Sequence, residues 1–201
     1  MESNLKRACE RSMRVAMQRC KDLRREYQRI FWKVRESSTV DEAYSAANQL
    51  DPEISEAYKD LFELMPDYEG LRKGLTDDLE KAFEFCETDI LAFRCGYEKA
   101  EIFEILKSSH LSPKYCQRVR DMILMYIQWP GIRREFRELS RLAIPYANEG
   151  FVESLNEIYL TGSDKLERKK AQILLYKVLN GRSELRSIVP LSNVDIRKVD
   201  R

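Results

Sequence analysis

The side chains able to do bond-making chemistry are few and scattered. The chain of 201 residues holds one histidine, His110, and five cysteines, Cys9, Cys20, Cys86, Cys95 and Cys116. His110 with Cys116 or Cys95 would make a thiolate–imidazole pair, and Cys86, Cys95, His110 and Cys116 would offer four zinc ligands. Their spacings match no usual zinc framework, there is no Cys-x-x-Cys, and His110 sits in Ser108-Ser109-His110-Leu111-Ser112, which reads as a turn between helices. A single histidine excludes paired Glu-x-x-His di-iron sites and His-Glu-x-x-His zinc sites. Asp77-Asp78 could face Mg²⁺ and a diphosphate, but no second aspartate-rich motif follows. Acids in a first helical turn already answer the helix dipole. Phosphate-loop, dinucleotide and nucleophile-elbow motifs are missing. The expectation is therefore no catalytic, cofactor-binding or metal-ligating residue, and no enzyme. An enzyme built on Cys116 and His110 is the alternative that a thiol probe would test.

Recognition chemistry is better represented, and it lies in the charges. Lys and Arg number 35 against 34 Asp and Glu, a net charge of +1 with a pI near 7.6. That near-neutrality is a sum of three unlike blocks. Residues 1–39 carry 11 basic and 5 acidic side chains, residues 40–105 carry 6 and 18, and residues 106–201 carry 18 and 11. Blocks of this kind either complement one another within the fold or present separate surfaces to charged partners. The basic face is expected from Arg14, Lys21, Arg24, Arg25 and Arg29 near the N-terminus, and from Arg134, Arg137 and Arg141 further on. The acidic face is expected from Asp60, Glu63, Asp77, Asp78, Glu80, Glu84 and Glu87. Trp129, in a tight turn beside Pro130, is expected as an exposed interface anchor, since Trp anchors many interfaces.

Helices must position these groups. Seven Gly and six Pro are too few for the many turns of a sheet protein of this length. Cys9, Met13, Ala16, Cys20, Leu23, Tyr27, Ile30 and Val34 step by 4 and 3, a seam that predicts one long helix over 4–36. Phe31 and Trp32 thicken the apolar face near its end. Further helices are predicted over 41–50, 51–65, 76–109 (bent, or split at Gly96), 112–128, 132–145, 151–159 and 164–179. The stop signal Asn180-Gly181 leaves 182–201 as an extended tail that docks through Ile188, Val189 and Leu191.

The sequence thus predicts an all-α fold of about eight helices in antiparallel packing. A bundle-like N-terminal part would precede two helical hairpins, HEAT-like or bundled. Residues 1–181 would form one domain, with a subdivision near 109–112 as the alternative. The longest apolar run, Met122–Ile127, is far short of a membrane span, and the first residues lack the apolar core of a secretory signal. An odd number of cysteines on apolar stripes suits a reducing cytoplasm. The expected function is a non-catalytic protein-interaction or adaptor domain using segregated charged faces, with a protein partner or self-association and no membrane. The alternative is a nucleic-acid-binding accessory protein that uses the Arg-rich first helix.

Overall fold

The computed structural model describes residues 2–88, 95–190, 192 and 194, with side chains from residue 15 onward. Among the described residues all regular structure is helical, in accord with the all-α expectation. Contacts divide the chain into two compact units, residues 1–70 with 75–96 and residues 71–74 with 97–201.

The first unit is built on α1 (Glu2–Arg35), against which pack α2 (Val40–Ala47), α3 (Asp51–Glu63) and α5 (Thr76–Cys86). The short helix α4 (Tyr68–Arg72) precedes α5. Small side chains dominate the α1 contact: Ala16, Met17 and Cys20 are buried with Ala43, Ala47, Ile54, Ala57 and Leu61. The predicted seam is fully buried at Ala16 and Cys20 and half-buried from Leu23 to Val34. Its first positions, Cys9 and Met13, have side chains outside the described residues.

Local chemistry sets the breaks. Thr39 caps α2 reciprocally: its hydroxyl accepts the Glu42 N–H at 3.3 Å, and its own N–H donates to Glu42 Oε2 at 2.9 Å. That backbone donor holds the Glu42 carboxyl below the usual range. The sequence allowed one bent helix from 76 to 109 or a split at Gly96. Instead α5 ends at Cys86, where Thr88 Oγ1 donates to the Glu84 carbonyl at 2.7 Å and the Thr88 N–H reaches the Phe85 carbonyl at 3.4 Å. A hydroxyl bonded back to the preceding turn competes with the helical ladder. Gly96 lies inside the next helix, α6 (Cys95–Ser108).

The second unit continues with α7 (Pro113–Gln128), α8 (Phe136–Tyr146), α9 (Glu149–Thr161) and α10 (Lys165–Gly181). Helix α10 packs on α7, α8 and α9, and α7 also packs on α8. Its residues Ala171, Leu174, Leu175, Val178 and Leu179 are buried, at the 3–4 spacing of one helix face. Gly181 is required at the α8 contact, where a Cβ would come within 2.7 Å of Ile144. Gly131 takes φ +75° in the turn after α7, a conformation L-residues adopt with strain. Asp164 caps α10, its carboxylate accepting the N–H groups of Leu166 and Glu167. The expected extended tail opens differently: Ser183–Ser187 form a 3-10 turn, with Leu185, Val189 and Val194 buried. Leu191 lies outside the described residues.

Side chains from elsewhere in the second unit close its helix C-termini. Lys170 Nζ on α10 donates to the carbonyls of Tyr126 (3.1 Å), Ile127 (3.2 Å) and Trp129 at the end of α7. Tyr146 Oη donates to the Leu106 and Ser109 carbonyls at 2.6 and 2.8 Å, at the end of α6. Arg182 reaches the Ile144, Pro145 and Ala147 carbonyls at 3.4 Å, and Arg186 Nε meets that of Leu179 at 2.8 Å. The last four carbonyls of a helix have no intrahelical donor, and cations there also answer its dipole.

Candidate interaction surface

The basic side chains of α1 divide by face. Arg19 turns toward α3 and bridges Glu56 at 3.2 Å and Asp60 at 2.8 Å. Half-buried Arg24 lies 5.9 Å from the Tyr58 ring centre. Burial holds the Tyr58 phenol above its usual pKa, and Arg24 pulls it the other way. Arg25 and Arg29 face water in local pairs, Arg25 with Asp22 at 3.8 Å and Arg29 with Glu26 at 2.5 and 2.7 Å. The hydrogen bonds from Arg29 hold the Glu26 carboxyl below its ordinary value. Lys21 is half-buried. The Arg14 side chain falls outside the described residues.

The acidic residues do not share one exposure. Asp60, Glu63 and Asp77 are exposed, and Glu80 and Glu87 are half-buried. Asp78 is also half-buried and accepts the Asp67 N–H at 2.9 Å, so it pins the turn before α5. Glu84, expected on the surface, is buried at 6% exposure among Ala82, Phe83, Phe85 and Cys86. Its position faces inward because the buried surface of α5 takes in every residue from Ala82 to Cys86.

Trp129 is likewise the wrong anchor. It is 8% exposed, with its ring 3.9 Å from that of Tyr126, Arg133 at 4.5 Å and Lys99 at 5.1 Å from its centre. An indole beside buried cations gains cation–π attraction, so the turn folds its tryptophan inward. Trp32 has the exposure Trp129 was expected to have. It is 64% exposed, in edge-on contact with Phe31 at 5.3 Å, and Phe31 meets the exposed Tyr44 of α2 at 4.8 Å. Val40 is exposed close by in sequence, and Arg29, Lys33 and Arg35 flank Trp32 on α1. The signal was present in the spacing: Trp32 stands two residues from both Ile30 and Val34, about 200° around the helix from that seam.

Arg137 and Arg141 lie on α8, and Arg134 in the turn before it. Arg134 stacks 3.8 Å from the Tyr97 ring centre and donates to its hydroxyl at 2.5 Å. Arg141 binds both oxygens of Glu138 at 3.0 and 2.8 Å and lies 3.8 Å from Glu104. Arg137 is exposed, 3.6 Å from Glu138. Lys170 on α10 does not add to this face: it is buried at 1% exposure on the α7 carbonyls. Lys177, which sequence reasoning passed over, reaches it instead.

His110 is exposed between α6 and α7, and half-buried Cys116 donates its thiol to the Leu111 carbonyl at 3.4 Å. Among the described residues no three His, Cys, Asp or Glu side chains gather to hold a metal ion, and no helix is long and apolar enough to cross a membrane. Comparisons with protein-family models, curated proteins and solved structures give no match.

Proposed function

We propose that this chain is a non-catalytic protein-interaction domain. Its contact surface is the aromatic end of α1 and α2, and its partner is an acidic protein segment that also bears apolar side chains. The observation that carries this reading is the exposure of Trp32 in one cluster with Phe31 and Tyr44, on a helix whose outward cations include Arg25, Arg29, Lys33 and Arg35. Trp, Tyr and Arg dominate the energetics of protein interfaces, and exposed large apolar groups grouped together mark contact sites. The cations favour an acidic partner and hasten its encounter. Cys20, buried as a thiol, supports a reducing compartment such as the cytoplasm. The second unit would then be the scaffold part, its helix pairs HEAT-like or bundled.

Selection of displayed random peptides on the full chain tests this. The expected winners combine Asp or Glu with Leu or an aromatic residue, and Trp32→Ala weakens them about tenfold or more, as truncating a central anchor does. Winners without acids, or affinities unmoved by Trp32→Ala, would overturn the reading. Single-stranded oligonucleotides are the control for the other basic-plus-aromatic ligand class. If they bind more tightly than the peptides, with affinity falling steeply between about 50 and 200 mM salt, a nucleic-acid role replaces the protein one. Asp22 and Glu26, interleaved on the same helix, and Glu36 just after it weigh against that outcome.

A further inference from the structure

A second charged surface, between α8 and α10, has no part in the reading above. Lys177 on α10 donates through Nζ to Ser140 Oγ on α8 at 2.7 Å. Ser140 Oγ in turn donates to the Arg137 carbonyl at 2.6 Å, which fixes the direction of the pair. Arg137 precedes Ser140 by three residues and Arg141 follows by one, so the two guanidinium groups are an i, i+4 pair on one helix face. Three cations and a hydroxyl therefore come together where two helices pack.

Their carboxylate partners do not cancel them. Glu138 serves both Arg137 and Arg141, and Glu104, shared with Lys107, lies farther from Arg141. Burial and the field of Arg141, with a further push from Arg137, hold the Lys177 ammonium below the ordinary lysine pKa, and Glu138 offsets this incompletely. A site with residual positive potential and donors on two guanidinium groups and an ammonium suits an anion of more than one charge and tetrahedral oxygens. Arg137 is 71% exposed, so these donors stand at the surface. That setting fits a phosphate carried on a protruding side chain better than an enclosed metabolite.

We infer that Arg137, Arg141 and Lys177, with Ser140 holding the lysine in place, form a binding site for the phosphate monoester of a phosphorylated serine or threonine on a partner protein. The full chain is titrated by calorimetry with a short peptide carrying one phosphoserine, with its unphosphorylated twin, and with inorganic phosphate. The phosphopeptide should bind about tenfold or more tightly than the twin, the scale of a charge-assisted hydrogen bond. Arg137→Gln, at an exposed position where folding is not at issue, and Lys177→Met should each weaken it several-fold, and Lys165→Gln at the exposed start of α10 should not. Equal affinity for the two peptides, or binding unchanged in Arg137→Gln, overturns the site. Inorganic phosphate binding as tightly as the phosphopeptide overturns the assignment to a protein side chain.

Discussion

In the first unit the described cations of α1 mostly point into water, whereas in the second several are turned onto backbone carbonyls. Arg25 and Arg29 lie in exposed i, i+3 pairs. Lys170, Arg182 and Arg186 each complete a helix end. An exposed pair contributes about 0–1 kcal/mol and leaves the charge available to a partner. A buried ammonium on carbonyls is locked into the fold, because removing it strands acceptors that water cannot reach. Side chains of the same type thus stay at the surface in one unit and are taken into the fold in the other.

The comparison can be broken by substitution, starting where the largest effect is expected. Lys170→Met keeps the aliphatic stem but orphans the Tyr126, Ile127 and Trp129 carbonyls, and should cost about 2–4 kcal/mol in urea unfolding. A cost no larger than that of a surface residue would erase the contrast between the units. Tyr146 adds a test by pH. Burial raises its phenol from 10.0 to about 12, so its neutral form belongs to the folded state. Stability from this group is complete below pH 10. It is lost as pH rises toward 12, because the unfolded chain releases the proton first. The wild type should lose about 1–2 kcal/mol more than Tyr146→Phe across that window, read from paired urea melts.

Smaller effects belong to the first unit. Arg19→Ala removes the link to Glu56 and Asp60 and should change stability by about 0–1 kcal/mol, decreasing further with added salt. Trp32→Ala should move stability by no more than about 0.5 kcal/mol while it weakens the selected peptides. A large stability loss from Trp32→Ala would show that the indole belongs to the core, and would remove the anchor from the proposed surface.

The sequence displayed the helices well because a 3–4 spacing reports which face is buried. Ala16, Cys20, Ala171, Leu174 and Val178 were all legible in this way. It displayed the charged surface poorly. Glu84 and Lys170 are charged yet buried, one within the inward run of α5 and the other drawn to an α7 end more than 40 residues away. No local pattern encodes a partner that distant. Trp129 failed for a related reason: the turn was legible, but Lys99 and Arg133, which draw the indole inward, come from outside it. Trp32 was assigned to the apolar face and is exposed instead, although its angle on α1 points it away from the seam. Lys177 was not readable, because its role comes from Ser140 on another helix.

The grip of Lys170 on the end of α7 also bears on how the chain comes together during synthesis. When residues 113–128 emerge, the carbonyls of Tyr126 and Ile127 have only water to satisfy them, and the last turn of α7 frays. It becomes firm when α10 has been made and docked, a contact spanning 43 and 44 positions. Closing such a long loop delays the step. The lysine therefore acts as a clasp that ties the last turn of α7 to the docking of α10.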